Sequence, residues 1–283
     1  MSTIGDVLLG TAKRLEKVSE TPRLDAEILL ACALGINRAH LMARLRDAIE
    51  VPALFEEYIR RRESYEPLAY ILGEWEFFSL RFKCKKPIFV PRPETEILVE
   101  RVLEELDDLQ GRVLDVGAGT GCVGIAIAAN NPQVTVVALD KNPDALDLVQ
   151  TNARLHSVEE RVRAVCSDGL SAFSKGGHFD VVCSNPPYVE TSVWNDISPV
   201  IRFHEDSRAI LSGIDGLEFI RQLIRDAKGV LRDQGVLAFE IGCGQKDAVY
   251  DILLQMGYTC LSSFRDLSGI DRVITARNSC MKW

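Results

Sequence analysis

Apolar and polar residues follow two different periods along this chain. In residues 1–72, apolar residues recur three and four positions apart, most clearly in residues 26–34, where Gly35 follows as a helix C-cap. This spacing predicts a small all-helical domain over residues 1–72. Such a domain serves either as a scaffold or as a docking surface for a macromolecule, and the pattern does not decide between the two.

The pattern changes in residues 73–92, where aromatic residues are frequent and apolar and polar positions roughly alternate. We expect a β-hairpin here, with its turn near residues 85–87. Pro91 and Pro93 end this segment because proline cannot donate to a strand ladder. Residues 73–92 are therefore predicted to be a β-hairpin linker.

Strand-like and helix-like segments alternate in residues 93–283. Strands are predicted at 112–116, 134–139, 162–167, 180–184 and 235–241, and helices at 123–129, 143–155 and 217–231. This alternation predicts an α/β domain, with a parallel sheet covered by helices on both faces. The C-terminal part adds a helix at 247–256 and strand-like runs at 259–264 and 272–276, which fit an antiparallel hairpin at the edge of the sheet.

Composition limits the possible partners. The 283 residues carry a net charge of −8, whereas tight binding to duplex DNA relies on many Lys and Arg contacts to phosphate, so a protein partner is favoured over nucleic acid. No apolar run reaches the roughly 18 residues that span a bilayer, and the first ten residues resemble no targeting segment, so no membrane association is expected. The eight scattered cysteines lack metal-ligand spacing; they predict reduced thiols, no metal site and a cytoplasmic location.

A glycine-rich loop follows the first strand of the α/β domain. It consists of Gly117, Ala118, Gly119, Thr120 and Gly121, with Asp115 before it and Gly124 after it. Glycines let a ligand approach the backbone, and the next helix directs its amide groups at the site. The spacing also satisfies the dinucleotide fingerprint, which leaves NAD open. Asp115 favours S-adenosylmethionine, because its charge would repel a pyrophosphate but can accept hydrogen bonds from a methionine ammonium group.

Two more acidic positions end the next strands. Asp140 follows the second strand, where a carboxylate can accept hydrogen bonds from both ribose hydroxyls of either cofactor. Its alternative role is to complement the dipole of the following helix. Asp168 and Gly169 end the third strand and are predicted to lie beside the adenine, the alternative being an ordinary turn.

The fourth strand ends in Asn185, Pro186, Pro187 and Tyr188. The prolines end the strand and stiffen the loop that follows. The alternative to a functional role is that this loop is only a rigid turn. The nitrogen of an amide or arylamine is a poor nucleophile because its lone pair is delocalised. The Asn185 side-chain oxygen and the Pro186 carbonyl can each accept one N–H, while Tyr188 offers an aromatic face to the planar group. Asn185, Pro186 and Tyr188 are thus candidate catalytic residues for methyl transfer to a planar nitrogen.

The glycine loop together with the Asn-Pro-Pro-Tyr sequence resembles the class I amino-methyltransferases, which include DNA adenine-N6 enzymes. Two further segments make the resemblance more specific: Phe89-Val90-Pro91-Arg92-Pro93-Glu94-Thr95-Glu96 and Glu66-Pro67-Leu68-Ala69-Tyr70-Ile71-Leu72-Gly73. Together these motifs resemble the HemK/PrmC family, the protein-(glutamine-N5) methyltransferases of peptide chain release factors, over nearly the whole chain. The resemblance implies a Rossmann-like class I methyltransferase sheet, S-adenosylmethionine as cofactor, S-adenosylhomocysteine as product and a release factor as protein substrate.

The resemblance also assigns roles to residues. Cofactor contacts are implied for residues 117–121, Asp140 and Asn185. The substrate-binding set is Asn185, Pro186, Pro187, Tyr188, Phe89, Arg92 and Glu94, around the glutamine of the factor's Gly-Gly-Gln loop. For residues 92–96 the alternative is a turn and helix cap, because Thr95 and its acidic neighbours suit a first helical turn.

Other functions stay open at this point. The same loop would serve glutamine methylation of a ribosomal protein or adenine-N6 methylation of nucleic acid, and a third possibility is a non-catalytic module that binds the cofactor. The loop at residues 201–207 departs from the family's usual pattern. We interpret His204, within it, as a solvated loop residue.

Overall fold

A computed structural model describes residues 2–107 and 110–279, which form two compact units. The helical unit comprises residues 2–74, 85–87 and 197–205, and the sheet unit comprises the other described residues. Cys280 lies outside the described residues.

The helices are α1 (Ile4–Leu15), α2 (Pro22–Ala33), α3 (Arg38–Ala43), α4 (Ala53–Glu63), α5 (Leu68–Leu72), α6 (Glu96–Leu106), α7 (Cys122–Asn130), α8 (Pro143–Leu155), α9 (Pro199–Arg202), α10 (Glu218–Val230) and α11 (Lys246–Gln255). The strands are β1 (Glu74–Phe77), β2 (Leu80–Lys83), β3 (Gly111–Val116), β4 (Val134–Asp140), β5 (Val162–Cys166), β6 (Phe179–Ser184), β7 (Leu231–Glu240), β8 (Tyr258–Arg265) and β9 (Asp271–Asn278). None of the described helices is long and apolar enough to cross a membrane.

The helical unit buries the apolar residues whose spacing predicted it. Leu8 of α1, Leu29 of α2 and Phe55 of α4 are fully buried in one cluster. Gly35 follows the end of α2 with a φ of 66°, as the predicted C-cap requires.

The hairpin of β1 and β2 turns at a different place from the predicted one. Its turn is Phe78–Ser79, with φ values of 51° and 59°, and not residues 85–87. Two-residue hairpin loops need positive φ and favour Asn and Gly, so a Phe-Ser turn carries no signal in the sequence. The Phe78 N–H donates to Glu96 Oε1 at 2.8 Å, which ties the hairpin to α6.

The large sheet has seven strands in the order β5-β4-β3-β6-β7-β9-β8. The first five of these are parallel, and β9 pairs antiparallel with both β7 and β8. The predicted parallel sheet with an antiparallel hairpin at its edge is therefore confirmed. After β3 the chain forms β4 on one side of β3, and it later forms β6 on the other side of β3. The carboxyl ends of β3 and β6 therefore flank the switch point, which is where α/β sheets bind ligands.

Both faces of the sheet are covered. Val113 points toward the cluster that includes α6, α7 and α8, and its neighbour Leu114 points toward the cluster of α10 and α11. Successive strand residues face opposite sides, so both must be apolar when helices cover both faces. This explains the nearly continuous apolar runs of the central strands.

Strand β7 differs from its prediction at its start. The sequence pattern predicts a helix to residue 231 and a strand from 235, whereas α10 ends at Val230 and β7 begins directly at Leu231. The pairing with β6 is irregular there, and Gln234 has a φ of 60°. A bulged strand start of this kind breaks the two-residue period on which the prediction relied.

Candidate active site

The glycine loop joins β3 to α7 in a conformation that needs glycine. Gly117, Gly119 and Gly121 have φ values of 72°, 55° and 80°. A Cβ at Gly121 would lie 2.9 Å from Ile125 Cδ1, so a side chain has no room there. A Cβ at Gly117 would meet nothing within 4 Å. The loop is thus packed against the protein on one side and open on the other.

Asp140 closes one side of this loop. Its Oδ2 accepts a hydrogen bond from the Gly119 N–H at 2.9 Å, and its Oδ1 accepts one from the Asn142 N–H at 2.9 Å. The Ser167 N–H donates to the Asp140 carbonyl at 3.1 Å, which places Asp168 beside the end of β4. The Asp168 side chain is exposed, and Gly169 begins a 3₁₀ turn with a φ of 60°.

Asp115 lies beneath the loop and is 1% exposed. Its Oδ2 accepts a hydrogen bond from the Gly124 N–H at 3.0 Å. Burial raises the pKa of the Asp115 carboxyl to about 7, and the nearby charge of Asp140 acts in the same direction. Asp115 is therefore poised to change its charge near neutral pH.

The Asn-Pro-Pro-Tyr loop lies next to the glycine loop. At the end of β6, Ser184 Oγ donates to the Val116 carbonyl at 2.7 Å and joins the carboxyl ends of β6 and β3. Asn185 and Tyr188 follow and are partly exposed, while Pro186 between them is buried. Gln245 Nε2 donates to the Tyr188 carbonyl at 2.9 Å, so the loop is held at both ends.

A chain of hydrogen bonds links Asn185 to Tyr188 through two buried residues. Asn185 Nδ2 donates to Thr95 Oγ1 at 2.9 Å, and Thr95 Oγ1 donates to Glu240 Oε2 at 2.6 Å. The Tyr188 hydroxyl donates to Glu240 Oε1 at 2.9 Å. We refer to Thr95, Asn185, Tyr188 and Glu240 as the carboxylate network.

The carboxylate network is shielded from solvent at its centre. Thr95 and Glu240 are 1% and 2% exposed. Burial raises the pKa of Glu240, while its hydrogen bonds from Thr95 and Tyr188 oppose this effect. Burial and the Glu240 charge raise the pKa of the Tyr188 hydroxyl, so this group stays a neutral donor.

The segment that precedes α6 supplies Thr95 to this network. Residues 93–95 form a turn and Thr95 occupies the N-cap position of α6, but its side chain makes no capping hydrogen bond and bonds to Glu240 instead. The Arg92 guanidinium lies 4.8 Å from the ring centre of Phe89 in a cation–π contact. Glu94 is exposed, and its charge contributes to raising the pKa of Glu240.

Sequence reasoning missed Glu240. One signal was available: Glu240 is the single charged residue near the end of an apolar strand, 236–241, whose burial the pattern predicts. Because β7 pairs parallel with β6, with Phe239 beside Ser184, a side chain at this strand end falls next to Asn185. A buried carboxylate without a cationic neighbour in sequence indicates a polar partner from elsewhere in the chain.

His204 belongs to the helical unit, where its Nε2 lies 3.0 Å from the Ser64 carbonyl. It lies in the turn after α9 and is partly exposed. Within residues 2–107 and 110–279, no three His, Cys, Asp or Glu side chains are grouped so that they could hold a metal ion.

The sheet order, the glycine loop after β3 and the Asn-Pro-Pro-Tyr loop after β6 define a class I methyltransferase. Solved structures agree on the fold. The catalytic domain of hMettl16 in complex with the MAT2A 3'UTR hairpin 6 is 15% identical with a TM-score of 0.59, covering 77% of this chain and 82% of that one. The ribosomal protein L11 methylase from Lactobacillus delbrueckii subsp. bulgaricus is 17% identical with a TM-score of 0.50, covering 68% and 81%.

Sequence comparisons are more specific. The family model described as "PrmC N-terminal domain" matches residues 6–73, and that described as "Methyltransferase small domain" matches residues 93–213. A release factor glutamine methyltransferase from Nitratidesulfovibrio vulgaris is 35% identical over 99% of this chain and 97% of its own length. Another, from Thermodesulfovibrio yellowstonii, is 37% identical over 90% and 92%. The chain belongs to the release factor glutamine methyltransferase family.

Proposed function

We propose that this protein transfers the methyl group of S-adenosylmethionine to the side-chain amide nitrogen, N5, of the glutamine in the Gly-Gly-Gln loop of a peptide chain release factor. The observation that carries the proposal is the junction of the two loops, where Ser184 Oγ bonds to the Val116 carbonyl at 2.7 Å. This bond joins the strand ends after which the partly exposed Asn185 and the glycine loop directly follow. The names of the relatives support the substrate class.

The residues present fit the cofactor. The outer face of Gly117 is open, and the Asp140 carboxylate lies against the loop, where its remaining lone pairs can accept ribose hydroxyls. Asp115 would hold the methionine ammonium, and Asp168 with Gly169 would flank the adenine. Bound in this way, S-adenosylmethionine supplies an electrophilic methyl group on a sulfonium.

The chain's own residues would prepare the glutamine amide. Asn185 Oδ1 and the Pro186 carbonyl would each accept one amide N–H, which orients the nitrogen and raises its electron density as positive charge develops there. The Tyr188 ring, with Pro187, Phe89, Arg92 and Glu94 around the cleft, would hold the planar group. The amide proton becomes strongly acidic once the new N–C bond forms, so the site needs no strong general base.

We also propose that the helical unit docks the release factor. The match of residues 6–73 to the PrmC N-terminal domain supports this assignment. The cytoplasmic location stays a prediction of the sequence.

The proposal is tested with radiolabelled S-adenosylmethionine. Incubation with a release factor is expected to label the factor, and a Gln→Ala change in its Gly-Gly-Gln loop is expected to abolish the label. A panel with a ribosomal protein and with DNA or RNA serves as comparison. Labelling of a panel member in preference to the factor, or label that survives the Gln→Ala change, would contradict the proposed substrate.

Cofactor affinity is expected to rise with pH. Below about pH 7 the buried Asp115 carboxyl is protonated, and above it the carboxyl is ionised. The ammonium group favours the ionised form, so binding below this pH must release a proton, which weakens affinity by up to about tenfold per pH unit. The Kd for S-adenosylhomocysteine, measured by calorimetry from pH 5.5 to pH 8, should therefore fall as pH rises.

Two variants control this experiment. Asp115→Asn cannot ionise and should remove most of the pH dependence. Asp168→Asn removes an exposed carboxylate and should keep it. If the Kd depended on pH equally in the wild-type protein and in Asp115→Asn, then Asp115 would not face the ammonium group.

A further inference from the structure

The carboxylate network determines the orientation of the Asn185 amide. Both oxygens of Glu240 accept hydrogen bonds, Oε1 from the Tyr188 hydroxyl at 2.9 Å and Oε2 from the Thr95 hydroxyl at 2.6 Å, so the single hydrogen of Thr95 is directed at Glu240. Thr95 Oγ1 is then left as an acceptor toward Asn185. The group that Asn185 presents at 2.9 Å must be its NH₂, and its Oδ1 must face the opposite way.

The hydrogen bonds to Glu240 oppose the effect of its burial, which keeps the pKa of this carboxyl above its usual value. Two hydroxyl donors, from Thr95 and Tyr188, converge on its two oxygens. The positive charge of Arg272 also lowers the pKa of Glu240 and opposes the effect of burial. Because each oxygen of Glu240 accepts from one hydroxyl, the hydrogen of Thr95 cannot also be offered to Asn185.

We propose that Thr95 and Glu240 are positioning residues, which hold Asn185 so that its side-chain oxygen, and never its NH₂, faces the substrate nitrogen. The inference rests on the proposed function, since it assumes that the substrate group brings N–H donors. If the Asn185 amide were flipped, its NH₂ group would face the N–H groups of the substrate amide, and two donors cannot form a hydrogen bond. The flipped side chain would also lose its bond to Thr95. Neither Thr95 nor Glu240 touches the substrate in this role.

The second oxygen of Glu240 extends the same role to Tyr188. The Tyr188 hydroxyl donates to Oε1 at 2.9 Å, which sets the position of the ring that is to receive the planar group. One carboxylate therefore aligns both the acceptor and the aromatic face. The stiffness of the two prolines alone would leave the Asn185 side chain free to rotate about its own bonds.

The first test compares kcat with cofactor affinity. Thr95→Val keeps the shape of the side chain but removes its hydroxyl, and kcat is expected to fall by about 10- to 100-fold, the range for a lost hydrogen bond in a charge-assisted network. The Kd for S-adenosylhomocysteine should change by less than about threefold. Thr95→Ser restores the hydroxyl and should recover kcat to within about threefold of the wild-type value.

Glu240→Gln provides a second variant in case Thr95→Val does not fold. A glutamine amide has one acceptor oxygen, so it cannot accept from both hydroxyls, and kcat should again fall by about 10- to 100-fold. The matched control is Thr275→Val, a threonine on β9 that is 4% exposed and lies outside the network. Its kcat should stay within about threefold of the wild-type value.

A second readout does not depend on catalysis. In protein labelled with ¹⁵N-asparagine, the side-chain NH₂ signals of Asn185 are assigned by their loss in Asn185→Ala. They should exchange slowly with water, and they should shift and exchange faster in Thr95→Val but not in Thr95→Ser. If the wild-type enzyme failed to label the release factor, the proposed function would be wrong. The Asn185 signals would still test the orientation of the Asn185 amide.

Three outcomes would overturn the inference. The first is a Thr95→Val protein with unchanged kcat and unchanged Asn185 signals. The second is a Glu240→Gln protein with kcat within about threefold of the wild-type value. The third is an equal loss of kcat and cofactor affinity in Thr95→Val and Thr95→Ser, which would indicate a purely structural role.

Discussion

Replacing Asn185 with alanine is expected to lower kcat by about 10²- to 10³-fold, the loss typical when one polar group that stabilises developing charge is removed. The Asn185 side chain is anchored on Thr95 and not on the glycine loop, so the Kd for S-adenosylhomocysteine should change far less than kcat. Steady-state kinetics with a release factor and calorimetric titration measure the two effects. Asn130→Ala, an exposed asparagine at the end of α7, is the matched control.

Asp140→Ala should give the opposite pattern. It removes the carboxylate that accepts from Gly119 N–H and is placed to accept ribose hydroxyls, so cofactor affinity should fall by about 10- to 100-fold. At saturating cofactor, kcat should change far less. Asp144→Ala, at the exposed start of α8, controls for the loss of a negative charge. If Asn185→Ala mainly weakened binding and Asp140→Ala mainly slowed turnover, the two assigned roles would be exchanged.

The sequence predicts those parts of the site that depend on the ends of single strands. Asp115 and Asp140 lie at the carboxyl ends of β3 and β4, Asn185 directly follows β6, and parallel pairing brings these strand ends to one edge. Periodicity alone is enough for this, because the alternation of strands and helices implies parallel neighbours. The glycine loop and the two prolines then mark where the chain stops at that edge.

The carboxylate network could not be predicted in the same way. Thr95 and Glu240 are 145 positions apart, and Thr95 and Asn185 are 90 positions apart. Thr95 precedes a helix, where a threonine is an ordinary cap, and its actual role depends on how α6 packs against β7. No local pattern carries that packing. The turn at Phe78–Ser79 escaped prediction for a related reason, since the fold imposes positive φ on residues that do not favour it.

Charge patterns in the helical unit were similarly ambiguous. Residues 60–63 form a charged run that suits a solvated helix end, yet Arg62 within it is 7% exposed. Arg62 Nε donates to Asp25 Oδ2 at 2.7 Å, and Asp25 is 2% exposed. The Thr21 hydroxyl donates to the other carboxylate oxygen at 3.2 Å. Two helices, α2 and α4, are thus joined by a buried ion pair that satisfies its own hydrogen bonds.

Removing one member of this pair should strongly destabilise the helical unit. Asp25→Ala leaves the Arg62 charge buried without its carboxylate, at a cost of about 3–5 kcal/mol in the free energy of unfolding. Asp47→Ala breaks the exposed pair with Arg44, whose side chains are 45% and 50% exposed, and should cost at most about 1 kcal/mol. Urea denaturation followed by circular dichroism measures both. The double variant Asp25→Leu with Arg62→Met should recover most of the loss, because it removes the buried charge together with its partner. An Asp25→Ala protein as stable as Asp47→Ala would show that water reaches Arg62 and that the pair contributes no more than a surface contact.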